Sequence, residues 1–277
     1  SNPVTSEIPI IFVSANTDSQ FEEQAFAVGA SDFIRKPVSA SILLARVRNQ
    51  LAVAFQSVEL RRKVDARTEE LQLSKLKLIH RLSCAAEYRD DETAAHIARM
   101  SRYCRIIAEG YGASAEWCER IYQAAPLHDI GKIAMPDTIL TKGGELDGQE
   151  RMVMQRHTAT GADILGDDDE PLITMARSIA LTHHERYDGS GYPNNTFGED
   201  IPLEGRIAAI ADTFDALQAP RPYRQSLSVE QASAYINEQS GVLFDPILVQ
   251  VFNRVMPQLL RVRSQYRDDL DQGVDDA

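Results

Sequence analysis

Five of the six histidines in this 277-residue chain fall into one spaced pattern with three carboxylates. Glu92 and His96 stand four apart, which puts a carboxylate and an imidazole on one helical face. His128-Asp129 begins 32 residues after His96, His157 comes 28 after Asp129, His183-His184 begins 26 after His157, and Asp212 comes 28 after His184. Each gap is about one helix plus its connection, as when successive helices of a bundle present ligands to one centre. A mixed imidazole and carboxylate set without thiolate suits iron, manganese, nickel or zinc rather than calcium. Eight candidate ligands exceed what one tetrahedral zinc uses. They suit two or three ions about 3.5 to 4 Å apart, bridged by a carboxylate such as Asp129. Such a cluster acidifies a bound water and holds the oxygens of a phosphodiester for in-line attack. His80 has no place in the pattern and reads as an ordinary helix residue. His183 and His184 are adjacent, so they cannot share one narrow apolar stripe, and at least one needs a polar role.

The elements that must position these groups are helices. From Ser83 to about Met256 apolar residues recur at helical spacing between polar turns, which predicts a mainly α domain. One short hairpin is expected near Gly189 to Pro202. From about Ala40 to Leu82 there is neither proline nor glycine, and Leu, Lys, Arg, Glu and Gln dominate, which predicts one long helix. Leu60, Val64, Leu71 and Leu78 sit near heptad spacing, with Arg67 and Ser74 where a strict coiled coil would be apolar. That helix either pairs in a dimer or packs on its own domain. Nearer the start, residues 8 to 13 suit a strand buried on both faces, Gln20 to Val28 a helix ended by Gly29, and Asp32 to Ile34 a second strand closed by Lys36-Pro37. A further helix opens at about Ala40, giving a βαβα order.

The composition limits what else the chain can be. Hydrophobic residues at 43% and charged residues at 25% describe a soluble globular protein, neither fibrous nor disordered. No apolar run approaches the roughly 18 residues that cross a bilayer, and no leader is evident, so the chain is expected to be cytoplasmic. A net charge of -12 opposes binding to DNA or an anionic membrane surface, and an anionic ligand would need a local positive site. Cys84, Cys104 and Cys118 contain no C-x-x-C pair and read as small apolar residues on helix faces.

Two stretches resemble known families. His128-Asp129-Ile-Gly-Lys132, with Pro136 after it, resembles the HD superfamily of metal phosphohydrolases. His183-His184-Glu185-Arg-Tyr-Asp188-Gly189-Ser-Gly191-Tyr192-Pro193 resembles the signature of its HD-GYP subfamily. The resemblance implies an HD-type helical bundle and a cyclic di-GMP phosphodiesterase that yields pGpG and, in some members, GMP. It implies Glu92, His96, His128, Asp129, His157, His183, His184 and Asp212 as metal ligands, with Glu92 favouring a third ion and iron or manganese as the metal. Asp129 and Lys132 would be catalytic, and Lys132, Arg221 and Arg224 would contact substrate phosphates. Arg224 stands where lysine is common, and the bidentate guanidinium keeps the charge. The loop Asp188 to Pro193 would frame the pocket and contact diguanylate cyclase (GGDEF) domains, while Tyr192 either stacks on a guanine or fills the loop. Two departures are Thr93-Ala94-Ala95 for a usual Thr-Gly, and Lys142-Gly143-Gly144 for a usual Lys-Pro-Gly.

The stretch before the long helix resembles the C-terminal half of a response-regulator receiver domain, with Ser14 at its switch position and Lys36-Pro37 at its lysine and usually cis peptide. The acidic pair and phosphoacceptor would precede residue 1. The chain thus divides into a partial receiver at 1–50, a linker helix and possible dimerising coiled coil at 51–82, an HD-GYP domain at 83–260 and an acidic tail at 261–277. The leading reading is a metal-dependent cyclic di-GMP phosphodiesterase, the output domain of a response regulator and a homodimer through the linker helix. A cyclic di-GMP sensor with little turnover and an HD hydrolase of another cyclic nucleotide are the alternatives.

Overall fold

The computed structural model describes residues 8–16, 18–90, 93–219 and 226–267. Glu92, Arg221, Arg224 and the final acidic residues 268–277 lie outside the described residues. The chain divides into two units, Ser1–Ser74 and Lys75–Ala277.

In the first unit, strand β1 (Ile11–Ser14) is followed by helix α1 (Ser19–Ala27) and strand β2 (Asp32–Arg35). β1 and β2 pair in parallel, Ile11 opposite Asp32 and Ser14 opposite Arg35. The Asp18 carboxylate accepts the Gln20 N–H and starts α1, while Gly29, at φ +98°, follows its end. The Lys36–Pro37 peptide is cis. The expected burial of the first strand on both faces is not found, because Phe12 and Val13 are 37% and 40% exposed. The sheet among the described residues has two strands, and α1 packs beside β2, so the apolar side chains of β1 lack a cover. Helix α2 (Ala40–Glu87) runs through the division between the units and continues past Leu82 to Glu87.

The second unit takes the last turns of α2 and adds α3 (Ala94–Tyr111), α4 (Ala115–Ala124), α5 (Asp137–Leu140), α6 (Gly148–Leu165), α7 (Pro171–Thr182), α8 (Leu203–Gln218), α9 (Val229–Glu238) and α10 (Pro246–Gln265). It is helical, as the apolar periodicity predicts. Short 3-10 turns occupy Ala125–Leu127, Ile130–Ala134 and Gly198–Asp200. The starts of the helices are written locally. Thr93 caps α3, a reciprocal Asp147/Glu150 box opens α6, and Asp245 with Pro246 opens α10. α3 packs against α4, α8 and α10, and α7 packs against α4, α6 and α8. Their shared core includes Met100, Tyr103, Ile107, Ile207, Ile210, Phe214 and Phe252, none exposed. At about 1.5 to 3 kcal/mol for each large side chain removed from water, this core fixes the helix faces from which the polar site projects. Cys104 and Cys118 are buried and free, in keeping with their apolar reading.

The expected hairpin near Gly189 to Pro202 does not form; that stretch holds turns and a 3-10 helix. Its N–H groups go to turn carbonyls and to one side chain instead of a strand. The buried Glu185 carboxylate accepts from Asn194 N at 2.7 Å and from Thr196 N at 3.0 Å. The Tyr192–Pro193 peptide is cis.

Candidate metal centre

His128 and Asp129 occupy the junction between the 3-10 turns Ala125–Leu127 and Ile130–Ala134, so both side chains leave the chain at one corner. His157 projects from α6, and His183-His184 follow the end of α7. Asp129 Oδ1 lies 3.2 Å from His157 Nε2 and 3.3 Å from His183 Nε2. Its Oδ2 lies 3.4 Å from His128 Nε2. Donor atoms of Asp129, His157, His183 and His184 all fall within 4.8 Å of one another. A second group on the same criterion joins Glu87, the last residue of α2, to His96 in the first turn of α3 and to His128. The His96 and His128 ring centroids are 5.7 Å apart. Asp212, on α8, places Oδ1 at 3.9 Å from His96 Nε2.

The ring nitrogens facing away from this centre are anchored. His128 Nδ1 meets the Ala125 carbonyl at 3.0 Å, His157 Nδ1 that of Met154 at 2.7 Å, and His183 Nδ1 those of Ile179 and Ala180 at 3.0 and 3.1 Å. A carbonyl only accepts, so these Nδ1 atoms donate, and each Nε2 faces inward. His96 Nδ1 instead donates to Asp215 Oδ2 at 2.8 Å.

The inward atoms fit a cation. Asp129 Oδ1 and the Nε2 atoms of His128, His157 and His183 are buried without a hydrogen bond, an arrangement that a shared cation would satisfy. Burial alone would press His128 down, but Asp129 beside it, with Asp212 and Glu87, outweighs burial and raises it to about 9. A metal at His128 must therefore displace that proton. His183 is pushed down by burial, against the pull of Asp129. Burial, with His183 and His157 alongside, holds His184 well below the usual imidazole range. Asp129 stays ionised, because Lys132 and His128 overcome the cost of its burial.

Lys132 is clamped between carboxylates, its Nζ 2.7 Å from Asp129 Oδ2 and 2.6 Å from Asp90 Oδ2. Both ends of that clamp line a cavity of about 500 Å³, as do Lys142, His184, Tyr192 and Asp212. This volume falls within the roughly 300 to 1,000 Å³ of small-molecule sites. Tyr192 lies against the His184 ring, centroids 4.8 Å apart and planes 29° from parallel, so one face of the tyrosine is already occupied. Gly191 lets the loop turn back on itself, since a Cβ there would stand 2.3 Å from Arg186 N. Gly131 is equally constrained, because a Cβ there would stand 1.9 Å from the His157 carbonyl oxygen.

The structure thus brings together His96, His128, Asp129, His157, His183, His184, Asp212 and Lys132 of the residues singled out in the sequence. Glu87, Asp90, Lys142 and Asp215 were missed as members of the site. Glu87 and Asp90 precede His96 by nine and six residues, outside the four-residue spacing that marked Glu92. Asp215 follows Asp212 by three, a spacing that puts both on one side of α8 and was the available signal. His80 is exposed, its Nδ1 3.5 Å from Cys84 Sγ, as an ordinary helix residue would be.

Known proteins resemble this chain in sequence and in fold. A family profile described as "HD domain" matches residues 78–248. The cyclic di-GMP phosphodiesterase response regulator RpfG of Xanthomonas campestris pv. campestris is 41% identical over 271 residues, covering 95% of this chain and 72% of that protein. The 3′3′-cGAMP-specific phosphodiesterase 2 of Vibrio cholerae serotype O1 is 42% identical over 199 residues, covering 72% of this chain and 38% of that protein. Among solved structures, the cyclic GMP-AMP specific phosphodiesterase V-cGAP3 of V. cholerae superposes with a TM-score of 0.52 at 23% identity, over 71% of this chain and 52% of that one. That last likeness is one of fold.

Proposed function

The chain belongs to the HD domain family, and from that premise we propose that it is a phosphodiesterase that opens cyclic di-GMP to the linear pGpG, with GMP as the product of any second step. The observation that carries the reading is the convergence of His128, Asp129, His157 and His183 with inward atoms that lack hydrogen bonds. We assign Glu92, His96, His128, Asp129, His157, His183, His184 and Asp212 as ligands of two or three divalent ions, iron or manganese. Bound there, the ions supply Lewis acidity toward the scissile phosphate and an acidified water as nucleophile.

The chain's own groups do the rest. The three main-chain anchors hold the imidazoles with Nε2 turned to the centre before any ligand arrives. Lys132, fixed by Asp129 and Asp90, presents an ammonium at the cavity wall for a phosphate oxygen, and Lys142 adds a second charge. Arg221 and Arg224 complete the phosphate contacts in this reading. Tyr192 braces His184 and closes one wall against water. These cations answer the need for a local positive site in a chain of net charge -12.

The wider organisation follows from the same relatives. RpfG carries "response regulator" in its name, which supports residues 1–50 as a partial receiver and the remainder as its cytoplasmic output. Leu60, Val64, Leu71 and Leu78 stand 55 to 70% exposed on α2, which supports a homodimer through residues 51–82. The loop Asp188 to Pro193 is assigned to contacts with diguanylate cyclase domains.

The test is turnover. The chain loaded anaerobically with ferrous iron, or separately with manganese, should convert cyclic di-GMP to pGpG, with GMP from any second step, and Asp129→Ala should abolish this and lower bound metal. Full activity of Asp129→Ala with unchanged metal content would overturn the assignment. The cGAMP-specific relative supports a second reading, hydrolysis of 3′3′-cGAMP. Side-by-side kcat/KM values for the two cyclic dinucleotides decide between them.

A further inference from the structure

One histidine of the centre is held differently from its neighbours. His128, His157 and His183 rest on main-chain carbonyls, which no side-chain change can remove. His96 rests on Asp215, which is 1% exposed. Arg99 grips that carboxylate with a fork, Nε to Oδ1 at 2.6 Å and Nη2 to Oδ2 at 2.7 Å. Its Nη1 donates to the Tyr266 carbonyl at 2.8 Å, next to the end of α10. The spacing explains the match: Arg99 follows His96 by three on α3, and Asp215 follows Asp212 by three on α8. Each helix therefore brings one inward group and one supporting group to the same place.

Resting on the metal-centre reading above, we propose that Asp215, held by Arg99, is a positioning residue that fixes the His96 tautomer and so serves the Glu87, His96 and His128 group rather than the Asp129, His157, His183 and His184 group. An ionised carboxylate only accepts, so His96 carries its proton on Nδ1 and directs Nε2 inward. Asparagine at 215 has the same shape but one acceptor and one donor. Arg99 Nε, the closest donor at 2.6 Å to Oδ1, keeps the acceptor on its side; the amide N–H₂ then takes the Oδ2 place that His96 shares with Arg99 Nη2, turns a donor to His96, and the ring must carry its proton on Nε2, the wrong tautomer for an inward ligand. An aspartate-to-asparagine change beside a catalytic histidine misplaces the proton in the same way in serine proteases.

Two measurements on the full chain test this. In metal-free protein, ¹⁵N NMR of labelled histidine, with His96 assigned by the His96→Gln variant, should report Nδ1–H for the unmodified chain and Nε2–H for Asp215→Asn. In manganese titrations, Asp215→Asn should weaken one class of ion by about 10- to 100-fold, the usual effect of losing such a partner, and leave the others unchanged. Arg99→Lys keeps the carboxylate and should keep the Nδ1–H tautomer, which preserves the test if Asp215→Asn does not fold. Uniform weakening of every ion, or an unchanged tautomer in Asp215→Asn, would sink the proposal. An unmodified chain that binds no ion overturns the metal-centre reading, while the tautomer still decides whether Asp215 positions His96.

Discussion

The two stretches of α2 have similar composition and opposite fates. Before Ser74, Leu60, Val64 and Leu71 stand 63, 55 and 70% exposed. After Lys75, Ile79, Ser83, Ala86 and Glu87 are buried, a spacing of three and four that marks one helical face. That face ends in a carboxylate set toward His96 and His128, while Leu78 and Leu82 keep the outer face apolar at 60 and 57% exposed. One helix thus carries two kinds of apolar surface, an inner one spent on the second unit's core and an outer one left in water. Exposure of a long leucine stripe has a cost that a partner would remove.

The comparison can be broken in three places, beginning with the largest effect. Glu87→Ala should lower manganese affinity and cyclic di-GMP turnover by about 100-fold, as the loss of a group beside two ligands does. Unchanged turnover and metal content would make the buried end of α2 ordinary packing. Next come two neighbours in sequence. Ile79→Ala should cost about 2 to 4 kcal/mol in urea unfolding, while Leu78→Ala should stay within about 0.5 kcal/mol under conditions where the chain is monomeric. Equal losses would erase the distinction between the two faces. Last, Leu71→Lys should leave turnover intact and weaken self-association at least about tenfold in sedimentation equilibrium, about 1.4 kcal/mol. A chain whose association ignores that change does not pair through α2.

Much of the site was legible because ligation demands residue types that helices rarely combine by chance. The intervals from His96 to His128 and onward to Asp212 are helix lengths, and the structure folds those intervals into one centre. The main α character followed from apolar periodicity. Asp215 left only its three-residue spacing from Asp212 as a signal, and Glu87 left none, since a carboxylate in a helix is ordinarily a solvated one and only tertiary packing buries these two near histidines; Asp90, half-buried just past the end of α2, meets Lys132 only through the fold. The hairpin expected at Gly189 to Pro202 failed for a related reason. Turn-forming residues announce a reversal, but the sequence does not announce that Glu185 will take the N–H groups a second strand would need. The first strand was legible as a strand and not as an exposed one, because burial depends on which other elements are present to cover it.

The close approach at Gly131 has a bearing on how the candidate ligands are held together. Its backbone lies so near the His157 carbonyl that no side chain fits between them, and Gly161 meets the same turn from α6, where an added Cβ would stand 3.2 Å from Gly131 N. The approach of the turn after Asp129 to the helix carrying His157 is therefore set by main chain against main chain. A side chain at either glycine would push the Asp129 turn away from α6, so the two positions keep the corner carrying Asp129 close to the helix carrying His157 without touching either side chain.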